Sequence, residues 1–130
     1  MTASWRLSRG LSKNPPLTDS TLLILFDNGT PRGLARFLAG HTVEEARARG
    51  WEELSNGELI DVAEAAGFEV MVTTDKNIRY QQKLSARSIA LIVLEHSQWP
   101  MVKLVVQNIV AAVNAATPGS YLEVEVPFKE

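Results

Sequence analysis

Asp27 and Asp75 are the side chains best placed for chemistry, because each closes a strand-like run: Asp27 follows LLILF at residues 22–26, and Asp75 follows FEVMVTT at residues 68–74. In an open α/β sheet, ligands gather beyond the carboxyl ends of the strands, so two acids at such ends belong on one rim. Brought within about 4 Å at an effective dielectric near 20, they repel by about 4 kcal/mol, or roughly three pKa units. Such a pair shares a proton or holds a cation. The chain has no cysteine and two histidines, so oxygen is the plentiful metal donor. Hard oxygen donors favour Mg²⁺ or Mn²⁺, ions that keep several waters and bridge to phosphate. The chemistry indicated is attack on a phosphodiester. The competing reading is that each Asp caps the turn after its strand, a role that Asp fills well.

Glu58 is the third candidate ligand. Its rival role is the S-x-x-E capping box of Ser55-Asn56-Gly57-Glu58, in which the Glu carboxylate reaches back to the Ser55 backbone. At about 100° per residue Glu58 lies off the apolar stripe Leu59, Val62, Ala63 and Ala66, while Asp61 points nearly opposite to it. The segment after Asp75 carries Lys76, Asn77, Arg79, Tyr80, Gln81, Gln82 and Lys83. These side chains suit phosphate contact and base stacking, and equally a polar surface loop. With Asn28 and Asn56, the residues Asn77, Arg79, Tyr80, Gln81 and Gln82 form the candidate substrate-binding set. His41 and His96 have no ligand spacing and read as loop or surface residues, and Trp51 and Trp99 as core anchors. No G-x-S-x-G and no P-loop is present, which removes the simplest hydrolase and NTPase readings.

The elements that must position these residues follow from patterning. Residues 1–20 combine Arg6, Arg9 and Lys13 with Asn14-Pro15-Pro16 and show no period, so they read as a poorly ordered arm before a single domain at 21–130. Leu22–Phe26, Phe68–Thr73 and Ile89–Leu94 are apolar enough to be strands covered on both faces, and Tyr121–Val126 alternates as an edge strand. His41–Val43 reads as a further short edge strand. Helices are expected from Pro31 to Gly40, from Ser55 to Gly67, and as one long helix opening at Pro100. Strand and helix alternate, the pattern of a three-layer α/β/α sandwich around a mostly parallel sheet, with right-handed crossovers. The formal charge of −2 gives the molecule no overall positive field for nucleic acid, so any basic patch is local. Without an apolar leader, a long apolar span or cysteine, the chain reads as cytoplasmic, with no membrane partner.

A buried strand ending in Asp27 within D-N-G-T-P, N-G-E-L at 56–59, and T-T-D-K-N-I-R-Y-Q-Q at 73–82 together resemble the PIN-domain superfamily, and more closely its small bacterial PIN-like proteins. The likeness runs from about Leu22 to Val126. It implies a metal-dependent ribonuclease whose acids hold Mg²⁺ or Mn²⁺ and activate water, with RNA as substrate. It also implies a toxin-type protein held by a small antitoxin, and it leaves homodimerisation open. By the same resemblance Asp27 and Asp75 are catalytic and metal-binding, and Glu58 lies near the middle acid. Asn56 stands where relatives more often place Asp, and Asn77 where many have a fourth acid. Each amide offers one neutral oxygen in place of a carboxylate, so one weakly held ion is expected rather than a tight two-metal site. Two alternatives remain: a catalytically weak RNA- or protein-binding module and, more distantly, a receiver-like phosphoacceptor. The latter wants a second acid beside the first, where this chain has Asn28.

Overall fold

The computed structural model describes residues 21–78 and 86–128; the arm at 1–20 and the segment 79–85 lie outside the described residues. Five strands form one sheet: β1 Leu23–Phe26, β2 Thr42–Glu45, β3 Val70–Thr73, β4 Ala90–Leu94 and β5 Tyr121–Val124. Their order is β2-β1-β3-β4-β5, and every pairing is parallel. The α/β sandwich expected from the alternation of elements is therefore present. The three apolar runs became its central strands, because a strand covered on both faces has no position for a polar side chain. All five residues of β4 are buried. The edge strands carry the polar residues: β2 reads Thr-Val-Glu-Glu, and β5 exposes Leu122 and Glu123.

Alternation along the strands divides the core in two. On one face Ile24, Phe26, Val72, Ile92 and Leu94 pack with Leu34, Leu38, Val106, Ile109 and Val113. On the other, Leu25, Met71, Leu91 and Val93 pack with Leu59, Ile60, Ala63 and Phe68. Helix α1, Asn56–Ala65, covers the second face, and its capping box is formed in full at Ser55 and Glu58. Its buried stripe includes Ile60, with Val62 and Ala66 only partly covered.

Two helices depart from expectation. The segment after Pro31 is a 3₁₀ helix, Arg32–Leu38. It starts without a side-chain cap and holds Gly33, which weakens α-helix. That glycine admits the Trp99 ring, since a Cβ on it would lie 2.9 Å from two ring carbons. The expected long helix is broken into α2, Trp99–Val102, a 3₁₀ turn, Lys103–Val105, and α3, Val106–Ala115. Its β-branched run Val105-Val106 is a poor helix interior, and tertiary packing sets the axis instead.

The expectation of uniformly right-handed crossovers fails. The connections β1 to β2 and β4 to β5 both cover the first face, since Leu34 and Leu38 share a core with Val102, Ile109 and Val113. They cross the sheet in opposite directions, so they are of opposite hand. The β2 to β3 connection runs over the second face with the same hand as β1 to β2, opposite to that of β4 to β5. Contact of Trp99 with Gly33, and with Phe37 at a ring separation of 6.2 Å, holds α2 on the side of the 3₁₀ helix.

Candidate functional site

The strand order reverses between β1 and β3, the place at which open α/β sheets bind ligands. The register pairs Ile24 with Val70, Leu25 with Met71 and Phe26 with Val72, so the two strands end level. Asp27 thus emerges beside Thr73, and its backbone N–H donates to the Val72 carbonyl at 2.9 Å. Gly29, at φ 90°, turns the chain away from the rim. The Thr30 hydroxyl then closes that turn by donating to the same Val72 carbonyl at 2.9 Å.

One oxygen of each acid serves its local turn. Asp27 Oδ1 accepts the Asn28 backbone N–H at 2.7 Å, and Asp75 Oδ1 accepts the Asn77 backbone N–H at 2.9 Å. The turn-capping role is therefore real, and it uses half of each carboxylate. The other oxygen of each carboxylate accepts a side-chain donor. Thr73 Oγ1 donates to Asp27 Oδ2 at 2.7 Å and accepts the Asp75 backbone N–H at 3.1 Å. Asn56 Nδ2 donates to Asp75 Oδ2 at 2.6 Å. Thr73 is 1% exposed, so the hydroxyl linking the two acids is shielded from water.

The carboxyl of Asp27 is raised above the ordinary aspartate value. Burial is the main cause, opposed by the Thr73 and Asn28 hydrogen bonds, and the charge of Asp75 adds the smallest push upward. Desolvation rather than direct repulsion between the acids therefore governs Asp27.

Of the remaining candidates, the carboxylate of Glu58 is occupied by the cap. Its Oε1 accepts the Ser55 N–H at 3.0 Å and the Ser55 hydroxyl at 3.2 Å, and the Glu58 N–H returns a bond to Ser55 Oγ at 3.3 Å. Asn28 is a tether: its Nδ2 donates to the Glu52 carbonyl at 2.9 Å, joining the loop after β1 to the turn before α1. Asn77 contributes its backbone, and its side chain is exposed. Arg79, Tyr80, Gln81 and Gln82 lie outside the described residues. His41 and His96 serve strand ends: Nδ1 of each accepts a backbone N–H, from Leu22 at 2.9 Å and Gln98 at 3.2 Å.

Thr73 is the site residue that sequence reasoning missed. Its signal was available: a hydroxyl residue closing an otherwise apolar buried strand, two positions before an acid. Among the described residues no three His, Cys, Asp or Glu side chains converge as a metal-binding group. Asp27 and Asp75, neighbours on the rim, each have one hydrogen bond on each carboxylate oxygen, which leaves a second acceptor position on each. Two carboxylates suffice for one Mg²⁺ or Mn²⁺ that retains waters and shares a phosphate, and they do not suffice for two ions. Comparison of the chain with family models, curated proteins and solved structures returns no match. No helix among the described residues is long and apolar enough to cross a membrane.

Proposed function

We propose that the protein is a PIN-like ribonuclease dependent on Mg²⁺ or Mn²⁺, with Asp27 and Asp75 as its metal-binding and catalytic acids. The observation that carries this reading is the placement of both acids at the level ends of β1 and β3, where the strand order reverses, with Thr73 joining them. A divalent ion held there would neutralise charge on the phosphodiester and acidify the attacking water. Asp75, kept in place by Asn77 N–H and the Asn56 amide, offers its charge in a defined direction. Asp27, held by the Thr73 hydroxyl at 2.7 Å, would contribute the second carboxylate to the same ion. Glu58 takes no part while it caps α1. A small antitoxin belongs to this reading as the partner that covers the rim, and a cytoplasmic location agrees with it.

A second reading, the catalytically weak binding module, is favoured by the same amide at Asp75 and by the engagement of Glu58 in its cap. Single-turnover cleavage of mixed RNA with MgCl₂ or MnCl₂ separates the two. Cleavage by the wild type, lost to background in Asp27→Ala with Asp75→Ala, supports the nuclease. Cleavage that persists in the double variant removes these acids from the mechanism, and RNA retention without cleavage favours the module. The receiver-like alternative shares the strand order β2-β1-β3-β4-β5. It requires Asp75 to take up phosphate from a small phosphodonor, which intact mass measurement would register.

A further inference from the structure

Helix α3 covers the first face of the sheet with Val106, Ile109, Ala112 and Val113, which are buried. Its outward residues, Gln107, Asn108, Ala111, Asn114 and Ala115, are exposed, and none of them carries a charge. Between Ser97 and Ser120 the only charged residue is Lys103, in a chain that is 22% charged. Helix α1 shows how a solvated helix of this chain is built, since it carries Glu58, Asp61 and Glu64. Loss of charge from the centre of an exposed surface is the compositional mark of a surface that meets another protein. Leu104, in the turn that leads into α3, is 68% exposed, more than any other large apolar side chain among the described residues.

The order of residues along this surface identifies its partner. Leu104, Asn108, Ala111 and Ala115 fall within about 60° of one another at about 100° per residue, so they form one stripe. Their spacing, four, three and four residues, reads the same in either direction. We infer that α3 is a self-association surface, on which two copies of this chain pack helix against helix, antiparallel, about a two-fold axis. In that arrangement Leu104 meets Ala115 of the second copy and Asn108 meets its Ala111, so every pair joins one larger and one small side chain. The contact is isologous, each pair occurring twice, and the small residues let the two backbones approach. Lys103 falls opposite Ala116 of the second copy, so the axis opposes no like charges. The basic residues Arg6, Arg9 and Lys13 find no counter-charge on this face, which argues against residues 1–20 as its occupant. The stripe shares no residue with the Asp27–Asp75 rim and does not depend on the chemistry there.

The test is sedimentation equilibrium of the full chain from about 1 μM to about 1 mM, the range suited to a dimer with so short an interface. Wild type is expected to pass from monomer to dimer across that range. Its dissociation constant should hardly change between low and high NaCl, because no ion pair joins the copies. Leu104→Ala leaves small against small and Ala115→Leu leaves large against large, and each should weaken association at least about tenfold. The two changes together restore one large and one small side chain to every pair, so the double variant should recover association. Both positions are exposed, so the melting temperature at monomer concentrations should stay at the wild-type value. Leu104→Lys, which places a charge at the contact, should remain monomeric throughout. A wild type that is monomeric at every concentration, with the face either bare or taken by residues 1–20, overturns the assignment. So does a dimer undiminished by Leu104→Lys, or a double variant weaker than both single variants.

Discussion

Glu64, at the amino end of the sheet, accepts Arg87 Nη1 at 3.0 Å, the Ser88 N–H at 2.7 Å, the Ser88 hydroxyl at 3.2 Å and the Ile89 N–H at 3.2 Å. Asp27, at the carboxyl end, is given the Asn28 N–H and the Thr73 hydroxyl, both neutral donors. The consequences are opposite in sign. Burial pushes Glu64 upward, but the Ser88 and Ile89 N–H groups and the Arg87 guanidinium outweigh it, and the carboxyl is lowered. At Asp27 burial prevails and the carboxyl is raised. The amino end treats its acid as structure, fixing the start of β4 to α1. The carboxyl end keeps an acid less fully compensated than its burial demands, and strain of that kind is characteristic of sites rather than scaffolds.

The comparison is broken most directly at Glu64. Glu64→Ala should cost about 2–3 kcal/mol in urea denaturation, because it removes charged hydrogen bonds and leaves partly buried donors without their acceptor. Arg87 would retain Asp61, which is largely exposed and so supports it weakly. Since the native Glu64 carboxyl is lowered, its stabilising contribution is present above the ordinary glutamate value and is lost as pH falls through the native value. The variant should therefore show a flatter acid limb than wild type. An acid limb as steep as before would mean that Glu64 is not the group that holds the amino end.

Thr73→Val is the smaller perturbation and acts at the other end. It is nearly isosteric, removes the donor to Asp27 Oδ2 and the acceptor for the Asp75 N–H, and should cost about 1 kcal/mol. Its clearer effect is on titration: with one lowering influence gone, the Asp27 carboxyl should move further upward, as followed by carbon NMR of the carboxyl. A downward or absent movement would show that the hydroxyl does not link the two acids.

How much of this was legible in the sequence depended on range. The strands β1, β3 and β4 are local apolar runs, and the Ser55–Glu58 cap is a four-residue motif, so pattern alone located them. Asp27 and Asp75 were legible because a strand end is a local feature, and their convergence then follows from a parallel sheet. The hand of the β4 to β5 connection was not, since the contacts on that side, such as Trp99 against Gly33, join residues far apart in the chain. The Glu64–Arg87 pairing, separated by 23 positions, has no sequence signature either. The Asn56 contact with Asp75 spans 19 positions, and its donor identity emerges only once β3 and α1 are placed side by side.

Asp27→Asn gives the finest test, because its sign is opposite to that of most substitutions in a core. A carboxyl raised in the native state binds its proton more tightly there than in the unfolded chain. Stability therefore falls as pH rises from the ordinary aspartate value through the native one. Asparagine can still accept the Asn28 N–H and face Thr73, and it has no charge to bury. The variant should melt above wild type at neutral pH, and the difference should shrink as pH falls below the ordinary aspartate value, where wild-type Asp27 is itself neutral. Glu64→Gln measured beside it should behave in reverse, destabilised at neutral pH and converging with wild type in acid. If Asp27→Asn instead lowers the melting temperature at neutral pH, the carboxylate is compensated after all, and the contrast between the two ends of the sheet disappears. If it raises it, the chain carries at position 27 a charge that the fold would be more stable without, which is the relation expected where a residue is kept for chemistry.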